Sequence, residues 1–124
     1  MRLAVILGLT MLPGLALADA NVAGYWKADL GDDITIEMNV SPDGQWNSET
    51  AKGAEVIAEM AGYYRQTVTS PVSGTLVFTP SQSHVTAPHG APKIEIDLYR
   101  LSTDGQLLYL HADGDTIKFF KIIQ

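Results

Sequence analysis

Two runs of strict alternation near the head of the chain constrain its fold more than any other feature. Val22, Gly24, Trp26, Ala28 and Leu30 share one face, with Lys27 and Asp29 on the other; Ile34, Ile36, Met38 and Val40 then alternate against Thr35, Glu37 and Asn39. A period of two residues puts successive side chains on opposite sides of a sheet. Each run therefore reads as an antiparallel strand with one face in a core and the other in water. Turn chemistry punctuates the rest of the chain: Ser41-Pro42-Asp43-Gly44, Ser70-Pro71-Val72-Ser73-Gly74, Ser102-Thr103-Asp104-Gly105 and Ala112-Asp113-Gly114-Asp115. Between the first two of these, Trp46, Ser48 and Thr50 fall on one face of a third strand.

Three segments depart from this regularity. Over 53–61, Ala54, Val56, Ile57, Ala58, Met60 and Ala61 with Glu55 and Glu59 break the alternation, which suits a short helix ending at Gly62 or an irregular strand. Residues 81–92 hold Pro88, Gly90, Pro92, His84 and His89 with little apolar periodicity, so they are expected to form a long loop. Beyond it Ile94, Ile96 and Leu98 alternate against Lys93, Glu95 and Asp97, with the carboxylates expected on a solvated face and a register change expected at 99–101. Eight strands emerge in sequential hairpins. They predict an all-β, eight-stranded antiparallel up-and-down barrel, since closure leaves no free edge; a β-sandwich or partly open barrel is the alternative, because the long loop can carry a Greek-key connection.

The first eighteen residues read as an export signal: Met1 and Arg2, an apolar run over 3–12, the break Pro13-Gly14, and the small-x-small site Ala16-Leu17-Ala18, with Ala18-Asp19-Ala20 as a second site. The run is shorter than the ~20 residues a membrane-spanning helix needs. The expected organisation is a signal peptide over 1–18 and one barrel domain over 19–124, exported to a periplasmic or secreted location. The formal net charge is −6, and loss of Arg2 with the signal makes the balance more acidic, which argues against nucleic acid and anionic membrane surfaces as partners. There is no Cys, so disulfides, thiolate metal sites and thiol chemistry are excluded.

The Gly24-x-Trp26 pair on the first strand of an exported eight-stranded meander resembles the lipocalins and the wider calycin group. Gly24, Trp26, Asp29-Leu30-Gly31 and Thr35-Ile36 are also similar to the opening of the avidin family. In that family the side chains two and six residues after the Trp hold biotin; here they are Ala28 and Asp32, so the resemblance implies fold and not biotin. The lipocalin likeness further implies that Gly24 and Trp26 plug one end of the barrel, with Lys121 of the last strand closing over the ring where the family carries Arg.

No catalytic motif is present. His84, His89 and His111 match no rigid metal-ligand spacing, Asp32-Asp33 and Asp113-Gly114-Asp115 are turn chemistry, and no Gly-x-Ser-x-Gly or Ser-x-x-Lys occurs. No enzyme activity, metal or cofactor is therefore expected. The expected site is a cup at the open end, lined by Ser48, Thr50, Tyr64 and Gln66, capped by 53–61 and by the 81–92 loop with His84 and His89. It points to one small apolar or amphipathic ligand, or alternatively to an exported protein partner bound through that loop.

Overall fold

The computed structural model describes residues 21–85 and 93–123, the side chains of 83–85 excepted. The expected signal segment, residues 86–92 of the expected loop and His89 lie outside the described residues. Eight strands run in chain order: β1 (Gly24–Gly31), β2 (Ile34–Val40), β3 (Gln45–Lys52), β4 (Glu55–Ser70), β5 (Ser73–Val85), β6 (Glu95–Leu101), β7 (Leu107–Ala112) and β8 (Asp115–Ile122). Each pairs antiparallel with the next, and β8 pairs with β1 from Tyr25↔Ile122 to Lys27↔Phe120, so the sheet closes as the expected eight-stranded barrel.

Among the described residues there is no helix, and residues 55–61 form the first half of β4. A β-bulge explains why their alternation is broken: Thr50 pairs with Ala58 and Ala51 with Val56, which leaves Ile57 as an extra residue and Val56, Ile57 and Ala58 all half-buried. Ala and Glu favour helix weakly, and ladders to strands on both sides override that preference. The expected 81–92 loop is shorter for a similar reason. Residues 81–85 continue β5, and past an irregularity at Ser81 they pair with β4 from Ala61↔Gln82 to Ala58↔Val85.

Strand β6 also departs from expectation, because it contains no register change. Asp97, Tyr99 and Leu101 point inward at 2–3% exposure, while Ile94, Ile96 and Leu98 are 60–64% exposed on the outer wall. Gly74 anchors this register, because it lies opposite Tyr99 and a Cβ on it would stand 2.7 Å from the Tyr99 ring. The ring covers a strand glycine, and the rest of β6 follows by period two.

The core is built from inward residues of every strand, with Val22, Trp26, Leu76 and Leu108 fully buried. Trp46 and Phe78 meet edge to face, their centroids 5.1 Å apart at 74°, a favourable aromatic geometry. One end of the barrel carries the start of β1, the end of β8 and the β2–β3, β4–β5 and β6–β7 turns. The other carries the β1–β2, β3–β4 and β7–β8 turns and the β5–β6 connection.

Candidate functional site

The first end is closed by packed and hydrogen-bonded side chains. The Trp26 indole is wholly buried and its Nε1 donates to the Val22 carbonyl at 2.9 Å. Lys121 sits directly across the ladder, with Nζ 5.5 Å from the indole centroid. Gly24 leaves room for that lysine: its φ is +149°, and a Cβ on it would lie 3.0 Å from Lys121 Cε. Two further bonds tie down this end, from Tyr64 Oη to the Ser41 carbonyl at 2.6 Å and from Gln66 Nε2 to Tyr99 Oη at 2.8 Å.

At the opposite end the inward side chains shorten and a cavity of about 370 Å³ opens inside the barrel. Met38, Trp46, Phe78, Leu110 and Phe119 form its floor, with Ile36, Met60 and Ile117 on the walls. Ser48 and Thr50 add hydroxyls from β3, and Lys93, Glu95, Asp97, Asp113 and Asp115 stand toward the mouth. Among the described residues the β5–β6 ladder ends at Phe78↔Glu95, while β5 continues beside β4 to Val85.

Asp97 is the unusual member. It is 2% exposed, and its Oδ1 has no hydrogen-bond partner among the described residues. Burial is the largest reason its pKa rises to about 8, followed by the hydrogen bond and charge of Glu95 and then the charge of Asp113. Taking a carboxylate out of water disfavours its charged form, and like charges nearby push in the same direction. At neutral pH Asp97 is therefore largely a protonated carboxyl, and its Oδ1 is without a hydrogen-bond partner among the described residues.

The structure separates the side chains expected to form one cup. Ser48 and Thr50 line the cavity, whereas Tyr64 and Gln66 belong to the closed end. His84 lies on β5, across the ladder from Glu59. Asp97, expected on a solvated face, is instead the most buried polar residue of the site. Unbroken period two from Glu95 to Leu101 places it with Tyr99 and Leu101, whereas the apolar Ile94, Ile96 and Leu98 favour the opposite face in the sequence pattern. Among the described residues no group of three or more His, Asp or Glu is arranged to hold a metal ion. Two hydroxyls, an acceptor carboxyl and an apolar floor make an arrangement suited to holding a molecule. No protein-family model, no curated protein and no solved structure matches this chain.

Proposed function

We propose that this chain is an exported, non-enzymatic binding protein that holds one small amphipathic ligand in the open end of its barrel. The observation that carries the reading is the cavity of about 370 Å³, with its aromatic and aliphatic floor and its polar groups gathered toward the mouth. Ligand sites are typically concave, mostly apolar and ~300 to 1,000 Å³, with a few placed polar groups. An eight-stranded barrel has room for about one such molecule. Export is supported by the Arg2, apolar-run and Ala16-Leu17-Ala18 pattern. The outer wall supports a protein not inserted in a membrane: Lys27, Glu37, Glu49 and Glu59 lie in adjacent register across four strands, where a membrane barrel carries an apolar band.

Trp46 gives a direct test, because it lines the cavity while Trp26 lies in the closed end. Titrating n-octanol should change the tryptophan emission of the protein, and Trp46→Phe should abolish the change. Filling the cavity with Thr50→Trp should weaken binding about tenfold or more. A signal that survives Trp46→Phe, or binding that Thr50→Trp leaves intact, is evidence against this site.

A second reading has its own observation. Among the described residues, the stretch of β5 beyond Phe78 pairs on the β4 side only, and a strand edge of this kind can accept a peptide as an added strand. It predicts capture of an exported protein that is lost when 81–92 is replaced by an Asn-Gly turn.

A further inference from the structure

The cavity has an acidic mouth, and the buried acceptor inside it says what kind of group that mouth awaits. Among the described residues, Glu95, Asp97, Asp113 and Asp115 contribute four carboxyls to the lining against the one ammonium of Lys93. Exposed carboxylates alone would say little. Asp97 adds the independent observation: it is only 2% exposed, it lines the cavity, and its Oδ1 has no hydrogen-bond partner among the described residues. A buried acceptor left unmade is costly, so a ligand that brings an N–H to it gains more than one that does not.

We infer that the ligand is an amphiphilic cation, a primary or secondary ammonium on an apolar body, that donates an N–H to Asp97 Oδ1 and lays its body on Trp46, Phe78 and Phe119. The inference rests on the proposed binding function and narrows it to a chemical class. A quaternary ammonium brings charge without a donor, an alcohol brings a donor without charge, and a carboxylate brings the wrong charge. The mouth distinguishes all three. Opposite charges interact more strongly where water is excluded, which places the advantage of the ammonium at Asp97 and not at the rim.

The same geometry makes binding depend on pH. Facing Asp97 are Lys93 and Glu95 from its own side, Asp113 from the β7–β8 turn and Asp115 from the start of β8; β5 presents Leu76 and Phe78, and β7 presents Leu110 and Ala112, none of which titrates. An ammonium at Oδ1 favours the ionised carboxyl and expels its proton. Affinity should therefore rise with pH through about 8, the value for Asp97 in the free protein, and fall again only when the amine itself loses its proton.

The test compares n-octylammonium, n-octanol, n-octyltrimethylammonium and n-octanoate by calorimetry on the mature full-length chain at pH 7. Octylammonium should bind roughly tenfold or more tighter than octanol, as expected for a hydrogen bond between charged partners, and octanoate weakest of all. It should release protons, seen as a heat that varies with the ionisation enthalpy of the buffer. Asp97→Asn should collapse the ammonium-to-alcohol ratio, and Asp104→Asn, at the closed end, should leave it unchanged. If Asp97→Asn fails to fold by circular dichroism, the wild-type protein still decides: its ammonium-to-alcohol ratio should rise between about pH 6 and about pH 8 as Asp97 ionises, and a ratio flat over that range overturns the role of Asp97. Equal binding of ammonium and alcohol overturns the inference and leaves the binding function standing. Equal binding of octylammonium and octyltrimethylammonium overturns the role of Oδ1, and no binding by any probe overturns both.

Discussion

The two ends of this barrel are built from similar material and finished in opposite ways. At the closed end the large polar-tipped side chains find partners: Trp26 on the Val22 carbonyl, Tyr64 on the Ser41 carbonyl, Gln66 on Tyr99. At the open end Asp97 is as buried as Tyr99 two residues along the same strand, yet one of its oxygens has no hydrogen-bond partner among the described residues. The difference teaches where this fold derives stability and where, on the proposed reading, it keeps room for a ligand. A satisfied polar group rigidifies a core, and an unsatisfied one destabilises it until something docks.

The contrast breaks most visibly at Trp26. Replacing a buried indole with alanine removes its transfer energy and leaves a void, typically ~3 to 5 kcal/mol, a large share of the stability of a domain this size. Trp26→Ala should unfold the protein or lower its thermal midpoint sharply. Lys121→Met should cost far less, about 0.5 to 1 kcal/mol, because the ammonium is exposed and contributes only a cation–π contact. A Trp26→Ala protein that melts with wild type would mean the closed end does not carry the fold.

Asp97 gives the opposite sign. Its folded pKa, about 8, lies above the ordinary carboxyl value, so the folded state binds the proton more tightly than the unfolded chain. The stability of the ligand-free protein should therefore be highest below about pH 4 as far as this group is concerned, and should decline from there through pH 8 by a few kcal/mol. Asp97→Asn, which mimics the protonated carboxyl, should flatten that decline and be more stable than wild type at pH 9. Urea midpoints measured from pH 4 to pH 9 check it; parallel curves for the two proteins would refute the assignment.

How much of the fold and site is legible in the sequence depends on whether the local pattern has competition. Strands β1 to β3 are readable because alternation and the Pro-Asp-Gly turn agree, and Trp26, Met38, Val40 and Trp46 are buried as that pattern requires. The first half of β4 is hidden by its bulge, since one extra residue at Ile57 erases the period that identifies a strand. In β6 the apolar set and the buried set are different sets. Ile94, Ile96 and Leu98 look like a core face, and the choice falls to Tyr99 packing on Gly74, a contact between strands that no local pattern encodes. The candidate site inherits that ambiguity: Ser48 and Thr50 are readable from β3, while Asp97 can be found only once the register of β6 is known.

The smallest test compares two turns on the rim of the open end. Asp113-Gly114 and Asp32-Asp33 both join their strands through two residues with positive φ, +52° and +83° in one, +54° and +64° in the other. This is the twist that suits a two-residue hairpin, and Gly is favoured at its second position. Asp tolerates the left-handed region at a cost, and at Asp33 the conformation is held from outside, because the Gly53 N–H donates to the Asp33 carbonyl at 2.9 Å. Asp33→Gly removes the steric cost and adds backbone freedom to the unfolded chain, two effects that largely offset, so a gain of about 0.5 kcal/mol is expected. Asp33→Val should lose about 1 to 2 kcal/mol, because a branched side chain is far less tolerant of positive φ. Removing this rim carboxylate should weaken octylammonium binding by no more than about twofold, against the much larger effect of Asp97→Asn, since an exposed charge is screened and a buried acceptor is not. Equal losses from Asp33→Gly and Asp97→Asn would assign the preference for cations to the charge of the rim as a whole and remove the distinction between the two ends at the one residue that defines it.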